Sequence, residues 1–264
     1  MTASNDSTKL RDFIIENMRY LHHDGGVGAG IDLPAFEFTP LDYLKFAQNE
    51  LGNDIASPMS IPSSFNCVSH LKRAADCAID TFLHALNLYE LFKKRNLKFE
   101  RKIELLRSMG LFNPRSLNKL NTMRNKMEHE YKAPESTNLE LYFELIQGFI
   151  YALDGSMHML AYDTIMDFES DTSNNNEDTR SLSMNVEYSF EKPSVIFKLE
   201  KNEETDHLEF VASNDTENFA FAVNLFFLLI RSKSLISVES LSENMLLAYE
   251  SLEKGNNAKG KIAG

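Results

Sequence analysis

Apolar residues recur at every third or fourth position over most of the first 170 residues, the spacing of amphipathic helices. This pattern predicts helices near 10–21, 40–52, 64–94, 99–109, 113–129 and 138–168. Thr39-Pro40 provides an N-cap followed by proline at the first helical position, and Gly110 provides a C-cap. A mobile loop is predicted where glycines cluster, at positions 25, 26, 28 and 30. We therefore expect a mainly α fold in which residues 1–170 form an antiparallel helical bundle with an N-terminal helical extension.

A wholly polar stretch at 170–181 predicts a linker, and the apolar spacing changes after it. Met184, Val186, Tyr188 and Phe190 alternate with polar residues, which is the period of a β-strand. Further strands are predicted at 195–199 and from 208, and helices at 216–231 and 238–252. Residues 182–253 should thus form a small α+β module with a three-stranded antiparallel sheet. Residues 254–264 should form a flexible tail.

The composition of the chain limits the cellular locations and the cofactors that we expect for this protein. Residues 1–7 lack the pattern of a secretory leader. The longest apolar run, 219–230, is shorter than the roughly 20 residues of a membrane span, so a cytoplasmic protein without membrane contact is expected. Cys67 and Cys77 should lie about 15 Å apart on one helix, as free thiols and outside any zinc-ligand spacing. A polar stripe on the same helix is interpreted as solvated surface (His70, Arg73, Cys77, Asp80, His84). No metal or cofactor is expected.

The net charge of −12 is unevenly distributed. Residues 93–132 contain twelve basic and four acidic residues, a local balance of +8, which leaves −20 for the remainder. Because a phosphate backbone responds to the local field, this basic zone can bind nucleic acid on one side of an acidic protein. A solvated helix face is the alternative interpretation.

Within the basic zone, Arg124-Asn125-Lys126-Met127-Glu128-His129 combines groups that a nuclease needs. An imidazole can exchange protons near neutral pH, and a guanidinium can bind two phosphate oxygens. The Asn125 amide lies one helical turn before His129 on the same face of the helix and can orient the attacked group. The natural substrate of such a site is RNA, because its 2′-hydroxyl supplies the nucleophile. At about 100° per residue, Arg124 and His129 are separated by about 140° around the helix axis. The long Arg124 side chain must therefore reach around the helix to act beside His129.

Ordinary helix stabilisation explains the same residues without catalysis. Arg124 and Glu128 form an i,i+4 pair of opposite charge, worth about 0.3–0.5 kcal/mol at a surface. His129 close to a helix C-terminus is a favourable position for a cation in any helix. Both interpretations remain open at this stage.

The segment from Met123 to Tyr131 resembles the signature of the HEPN superfamily, over roughly residues 60–170. That signature has Arg, then a polar residue that is often Asn, then His, late in a bundle of four to five helices. The resemblance implies a metal-independent endoribonuclease that dimerises so that two motifs meet in one cleft. Arg124, Asn125 and His129 would then be catalytic. Lys126, Lys119 and Arg115 are the candidate RNA-binding residues.

Tyr131 extends the motif to Arg-x4-His-x-Tyr, which resembles HEPN toxins paired with nucleotidyltransferase antitoxins. In those toxins the matching tyrosine can receive adenylyl groups, so Tyr131 is a candidate modification site; packing at the helix end is the alternative. Larger HEPN proteins occur in antiviral defence. This chain departs from the compact toxins by its N-terminal helices and by residues 182–253. An antitoxin or a regulatory protein is therefore an expected partner.

Two other functions are consistent with the sequence. A non-catalytic HEPN bundle could serve as a scaffold that binds a nucleotide or a protein. Alternatively, the α+β module could be the functional centre, because its strand edges offer a partner a place to pair.

Overall fold

A computed structural model describes residues 5–52, 60–94, 97–112, 115–132, 139–170, 182–202, 204–233 and 235–260. Its elements in chain order are α1 (Asn5–Asn17), β1 (Leu21–Val27), α2 (Pro40–Leu51), α3 (Ile61–Ala85), α4 (Tyr89–Lys94), α5 (Phe99–Ser108), α6 (Arg115–His129), α7 (Leu139–Tyr162), β2 (Ile165–Ser170), β3 (Leu182–Ser189), β4 (Ser194–Lys201), β5 (Glu204–Val211), α8 (Thr216–Ser232) and α9 (Val238–Gly260). The predicted fold class, mainly helical with a small antiparallel sheet, is confirmed.

The chain forms two compact units whose boundaries differ from those of the predicted domains. The helical unit comprises Asp32–Arg107 and Leu111–Met157, and the α+β unit comprises Met1–Ile31, Ser108–Gly110 and His158–Gly264. The N-terminal segment is thus not an extension of the helical bundle. Its Leu10 and Ile14 are completely buried, and the Thr8 hydroxyl lies 3.0 Å from that of Tyr249 on α9. Apolar burial therefore places α1 with the C-terminal elements.

The helical unit follows the predicted helices closely, with one interruption. Thr39 caps α2 in a capping box with Asp42, as the Thr39-Pro40 sequence predicted. The predicted single helix over 64–94 is two helices, α3 and α4. Asn87 lies between them with a left-handed φ of 52°, a conformation that asparagine adopts more readily than most residues. Apolar residues on one side of α3 are completely buried, including Leu71, Ile79 and Phe82.

The sequence also predicted the state of the two cysteines of the helical unit and of the polar stripe on α3. Cys67 and Cys77 are free thiols, and burial raises their pKa values to about 12 and about 11. Of the polar stripe on α3, Arg73 is exposed and the other four residues are half-exposed, so the interpretation as solvated surface holds only in part. Chain segments that pack against α3 cover them: Cys77 donates to the Phe38 carbonyl, and the His84 ring stacks on Tyr89.

The antiparallel sheet has more strands than the three predicted. The three predicted strands correspond to β3, β4 and β5, and β2 and β1 extend the sheet in the order β1-β2-β3-β4-β5. The predicted helix ending at Phe168 in fact ends at Tyr162. Met166 and Phe168 in β2 are buried and pair with Val186 and Met184. A short apolar segment here fits both the helical and the strand period, and pairing with β3 selects the strand.

The predicted glycine loop was also wrong in part, because Gly25 and Gly26 lie in β1 and pair with β2. Gly28 follows them at a close approach of two backbones. A Cβ at Gly28 would lie 2.4 Å from the carbonyl oxygen of Ala161, and the Ala29 N–H donates to that same oxygen at 3.0 Å. The glycine is therefore explained by packing rather than by mobility.

Aromatic rings form the core of the α+β unit. Tyr188 is completely buried and packs against Phe219 and Phe226 of α8, and burial raises its pKa well above the usual value. From Phe219 to Ile230, every residue of α8 except Asn224 is buried. The apolar run is thus a core helix.

Of the predicted linker at 170–181, Ser170 is the last residue of β2, and residues 171–181 lie outside the described residues. The predicted tail from 254 is helical as far as Gly260, where α9 ends. Within the described ranges, no helix combines the length and apolarity needed to cross a membrane.

Candidate functional site

The predicted motif occupies the last two turns of α6. The helix ends after His129, where the backbone N–H groups of Glu130 and Lys132 donate to the Lys126 carbonyl at 2.9 and 3.4 Å. Tyr131 takes a left-handed φ of 56°, which reverses the chain at the position where glycine is usual. The motif therefore lies at a defined helix end.

Arg124 lies on the inner side of α6. Leu117, Leu120 and Asn121 are buried on that side, and Arg124 follows Leu117 and Asn121 at helical spacing. Its guanidinium contacts the Glu128 carboxylate at 2.5 Å, with the two side chains 34% and 44% exposed. The structure thus contains the i,i+4 salt bridge that the sequence offered as the non-catalytic interpretation.

His129 and the three candidate RNA-binding residues lie on the opposite side of α6. Arg115, Lys119, Lys126 and His129 follow one another at intervals of four, seven and three residues, so they share one face of the helix. All four are exposed. We call this face the α6 stripe. It aligns an imidazole with three cations along about 20 Å of helix.

The structure therefore brings some of the predicted site residues together and separates others. Asn125 is half-exposed and lies one turn from His129. Arg124 lies about 140° around the helix from His129 and about 7.5 Å along it, with its guanidinium bound to Glu128. Tyr131 is 89% exposed, so the alternative that it packs at the helix end was wrong. Within a single copy, Arg124 and His129 do not share a face.

Some of the cations in the basic zone at 93–132 form ion pairs with carboxylates. Among the residues of this zone that the structure describes, Lys93, Lys102, Arg107, Arg124 and Lys132 lie within 4 Å of carboxylates. Lys119 and Lys126 of the α6 stripe are absent from that group. The cationic surface is consequently narrower than the sequence count suggests.

A half-buried ionic cluster, which the sequence analysis did not identify, joins α3 to α5. The Lys102 ammonium lies 3.2 Å from Asp76 and 2.5 Å from Asp80, and Lys72 lies 2.9 Å from Asp76. Burial alone would raise the pKa of Asp76, but Lys102 and Lys72 lower it. For Asp80 burial dominates, and its pKa is raised. Lys72, Asp76 and Asp80 at four-residue spacing on α3 are the signal that could have revealed this cluster.

A part-buried hydrogen bond joins α6 to α5. The Asn121 amide donates to the Glu100 carboxylate at 2.6 Å, and Asn121 is only 7% exposed. This bond, with the buried Leu117 and Leu120, lies on the side of α6 opposite the α6 stripe, which faces solvent.

A shallow cavity of about 380 Å³ lies on the polar face of the sheet in the α+β unit. Its lining groups bond to one another: Asn185 donates to Asp167 at 2.7 Å, and Ser183 donates to Glu200 at 2.9 Å. In the part of the chain that is described, no three His, Cys, Asp or Glu side chains gather in a way that could hold a metal ion. The α6 stripe is therefore the surface with the clearest chemistry.

Comparison with known proteins adds no assignment: no family model, no curated protein and no solved structure matches this chain.

Proposed function

We propose that this protein is a metal-independent endoribonuclease of the HEPN type that works as a homodimer. The observation that carries the proposal is the α6 stripe, in which the exposed His129 imidazole continues a row of three exposed cations. Cations spaced along a helix can bind successive phosphates, and an imidazole beside them can move protons near pH 7.

In the proposed reaction, the 2′-oxygen of a ribose attacks the adjacent phosphorus as the bond from phosphorus to the 5′-oxygen breaks. His129 accepts the proton of the 2′-hydroxyl, and a second imidazole, from the other copy, protonates the departing 5′-oxygen. Asn125 orients the 2′-hydroxyl. The products are a 2′,3′-cyclic phosphate and a 5′-hydroxyl, and the two imidazoles have exchanged charge states.

Arg124 would stabilise the negative charge that develops on the phosphate. For this it must leave Glu128, and the energy involved is small, because a surface i,i+4 pair contributes about 0.3–0.5 kcal/mol. A bidentate contact with phosphate is stronger than a neutral hydrogen bond by roughly a factor of two. Bound RNA can therefore take the guanidinium from the carboxylate.

Cleavage of labelled RNA in the presence of EDTA tests the proposal. The wild type should generate 2′,3′-cyclic phosphate ends, and His129→Ala should reduce the rate about 10²–10⁴-fold. The control is His207→Ala, which removes an exposed histidine from β5 in the α+β unit and should leave the rate unchanged. Intact RNA with the wild type at high concentration, or equal cleavage by His129→Ala, would contradict the proposal.

A non-catalytic scaffold is the second candidate, favoured by the contact between Arg124 and Glu128. Glu128→Gln separates the two functions. If Arg124 is catalytic, neutralising its partner frees the guanidinium, and cleavage should stay equal or increase. If the motif only stabilises α6, the substitution lowers stability slightly and no RNA is cleaved at any concentration.

The biological setting that we propose is a regulated toxin or antiviral effector in the cytoplasm, restrained by an antitoxin or another regulatory protein. Expression of the wild type should arrest cell growth, and expression of His129→Ala should not. Tyr131 remains the predicted acceptor of an adenylyl group, and its 89% exposure makes it accessible to a modifying enzyme.

A further inference from the structure

Tyr131 has a backbone conformation that its residue type rarely adopts. Among the described residues, Asn87, Tyr131 and Asn202 are the residues other than glycine with a left-handed φ, of 52°, 56° and 52°. Asparagine takes this conformation more readily than most residues, whereas a bulky aromatic residue is a genuine outlier there. Such outliers are concentrated at functional sites. Tyr131 is therefore the strained position of the three.

Packing of the Tyr131 side chain does not account for this strain. Its exposed fraction, 89%, is larger than that of any other large apolar side chain in the described part of the chain. A ring that stays in water gains little from burial, so it offsets little of the backbone cost. Glycine or asparagine would form the same turn with less strain. The ring is thus explained better by a molecule that contacts it than by the fold.

The turn that contains Tyr131 is bonded to a residue of the α6 stripe. The backbone N–H groups of Glu130 and Lys132, on either side of Tyr131, both donate to the carbonyl of Lys126. His129 precedes Tyr131 by two residues, so their Cα atoms lie at most about 7 Å apart. The exposed ring therefore lies at the end of the row of cations, next to the imidazole.

A row of cations that ends in an exposed aromatic ring is a combination that binds single-stranded nucleic acid. The cations contact successive phosphates, and the ring stacks on a base that has no pairing partner. Every base has a flat face, so such a ring adds affinity without requiring a particular sequence. In a duplex the bases are stacked on one another, and only its ends offer the ring a free face.

We propose that Tyr131 is a substrate-binding residue whose ring stacks on an unpaired base next to the phosphate at His129. The inference rests on the proposed nuclease, because it names the part of the RNA that the α6 stripe would hold. Stacking needs the ring of Tyr131, whereas transfer of an adenylyl group needs its hydroxyl. Cleavage tests the nuclease and binding of an RNA that cannot be cleaved tests the stacking, so the two can fail separately.

Fluorescence anisotropy with a short single-stranded RNA tests the stacking, with 2′-O-methyl sugars to prevent cleavage. Tyr131→Asn should raise the dissociation constant about 5–150-fold, the contribution of one stacked base. It should also raise the urea midpoint, because asparagine takes the left-handed backbone with less strain. A merely structural role for the ring would instead lower the midpoint. Tyr131→Phe, which keeps the ring, should change neither quantity.

Two controls separate stacking from general effects on binding. Tyr162→Asn removes a tyrosine that is 77% exposed on α7 and should leave RNA binding unchanged. With the same RNA annealed to its complement, the wild type and Tyr131→Asn should bind equally, because paired bases offer the ring no free face.

Tyr131→Trp reports the stacking directly, because the chain has no other tryptophan. RNA should quench its emission and should leave the emission of Tyr162→Trp unchanged. Equal affinity of the wild type and Tyr131→Asn for the single strand would overturn the proposal. An equal loss with Tyr131→Phe would also overturn it, since the contact would then be to the hydroxyl. Quenching that follows protein concentration instead of RNA would place the ring in a protein contact and refute the stacking.

Discussion

Both units have apolar cores, and they differ in the contacts that stand out around those cores. In the α+β unit, aromatic rings around Tyr188 fill the space between the sheet and α8, and nearly every side of α8 is buried. In the helical unit, the ionic cluster joins α3 to α5, and the bond from Asn121 to Glu100 joins α5 to α6. Hydrogen bonds weaken steeply when donor and acceptor are misaligned. The unit with the candidate site thus adds directional polar bonds between its helices to an apolar core.

The largest expected change in the free energy of unfolding comes from removing a core aromatic ring of the α+β unit. Phe226→Ala in α8 deletes a completely buried ring and should lower the free energy of unfolding by about 3–5 kcal/mol. Urea denaturation, with hydrogen exchange of α8 peptides, measures the change. Leu247→Ala, at a 64% exposed position on α9, is the control and should change stability by less than about 0.5 kcal/mol. Equal effects of the two substitutions would refute the aromatic core as the source of stability.

A smaller effect is expected from the ionic cluster. Lys102→Met removes the ammonium shared by Asp76 and Asp80 and leaves two half-buried carboxylates without it. The expected loss is about 1–3 kcal/mol, below the cost in a fully buried pair, because the carboxylates keep some solvent contact. Arg107→Met on the same helix breaks an exposed pair with Glu104 and should cost under about 0.5 kcal/mol. Similar losses for both variants would show that the cluster contributes no more than a surface pair.

The smallest expected difference between the two units is in how their stability changes at alkaline pH. Burial raises the pKa of Cys67 from 9.0 to about 12, so the folded state keeps the thiol protonated while the unfolded chain releases the proton. This contribution to stability is complete below pH 9 and is lost as the pH rises toward 12. Tyr188 has the same sign, but its unfolded chain begins to ionise only near pH 10.

Urea denaturation at pH 8 and pH 10 measures this difference. Stability of the helical unit should fall between these values by up to about 1.4 kcal/mol per pH unit above pH 9. Cys67→Ala should be less stable at both values and should show a weaker pH dependence. An unchanged dependence in that variant would mean that Cys67 does not titrate differently in the two states.

The sequence predicted most elements of the fold because their periodicity was long and regular, as in α3 and α7, or strictly alternating, as in β3. It failed for β1, in which aspartate and two glycines give no strand signal and only pairing with β2 produces the extended conformation. It also failed to place α1, because α1 packs against α9, which begins more than 200 positions later. Contacts at that separation leave no local pattern.

For the candidate site, the relative positions of the residues within α6 could be predicted from the sequence, but the residues that surround α6 could not. The angle of about 140° between Arg124 and His129 follows from helical geometry alone. His129 faces solvent because Leu117, Leu120 and Asn121 are buried on the opposite side of α6. That orientation depends on tertiary packing, which the sequence of α6 alone does not show. The polar bonds from α5 to α3 and α6 were missed for the same reason, since each joins residues at least 21 positions apart.

The division of the chain has a consequence for biosynthesis. Residues 32–107 and 111–157 are interposed between the two main parts of the α+β unit, so a ribosome completes the helical unit while α1 and β1 still lack β2, α8 and α9. A newly made chain would therefore hold Leu10 and Ile14 in water until its last hundred residues emerge. A fragment ending at residue 170 would keep that exposure permanently, and its aggregation would reflect missing partners for α1 rather than a defect in α6.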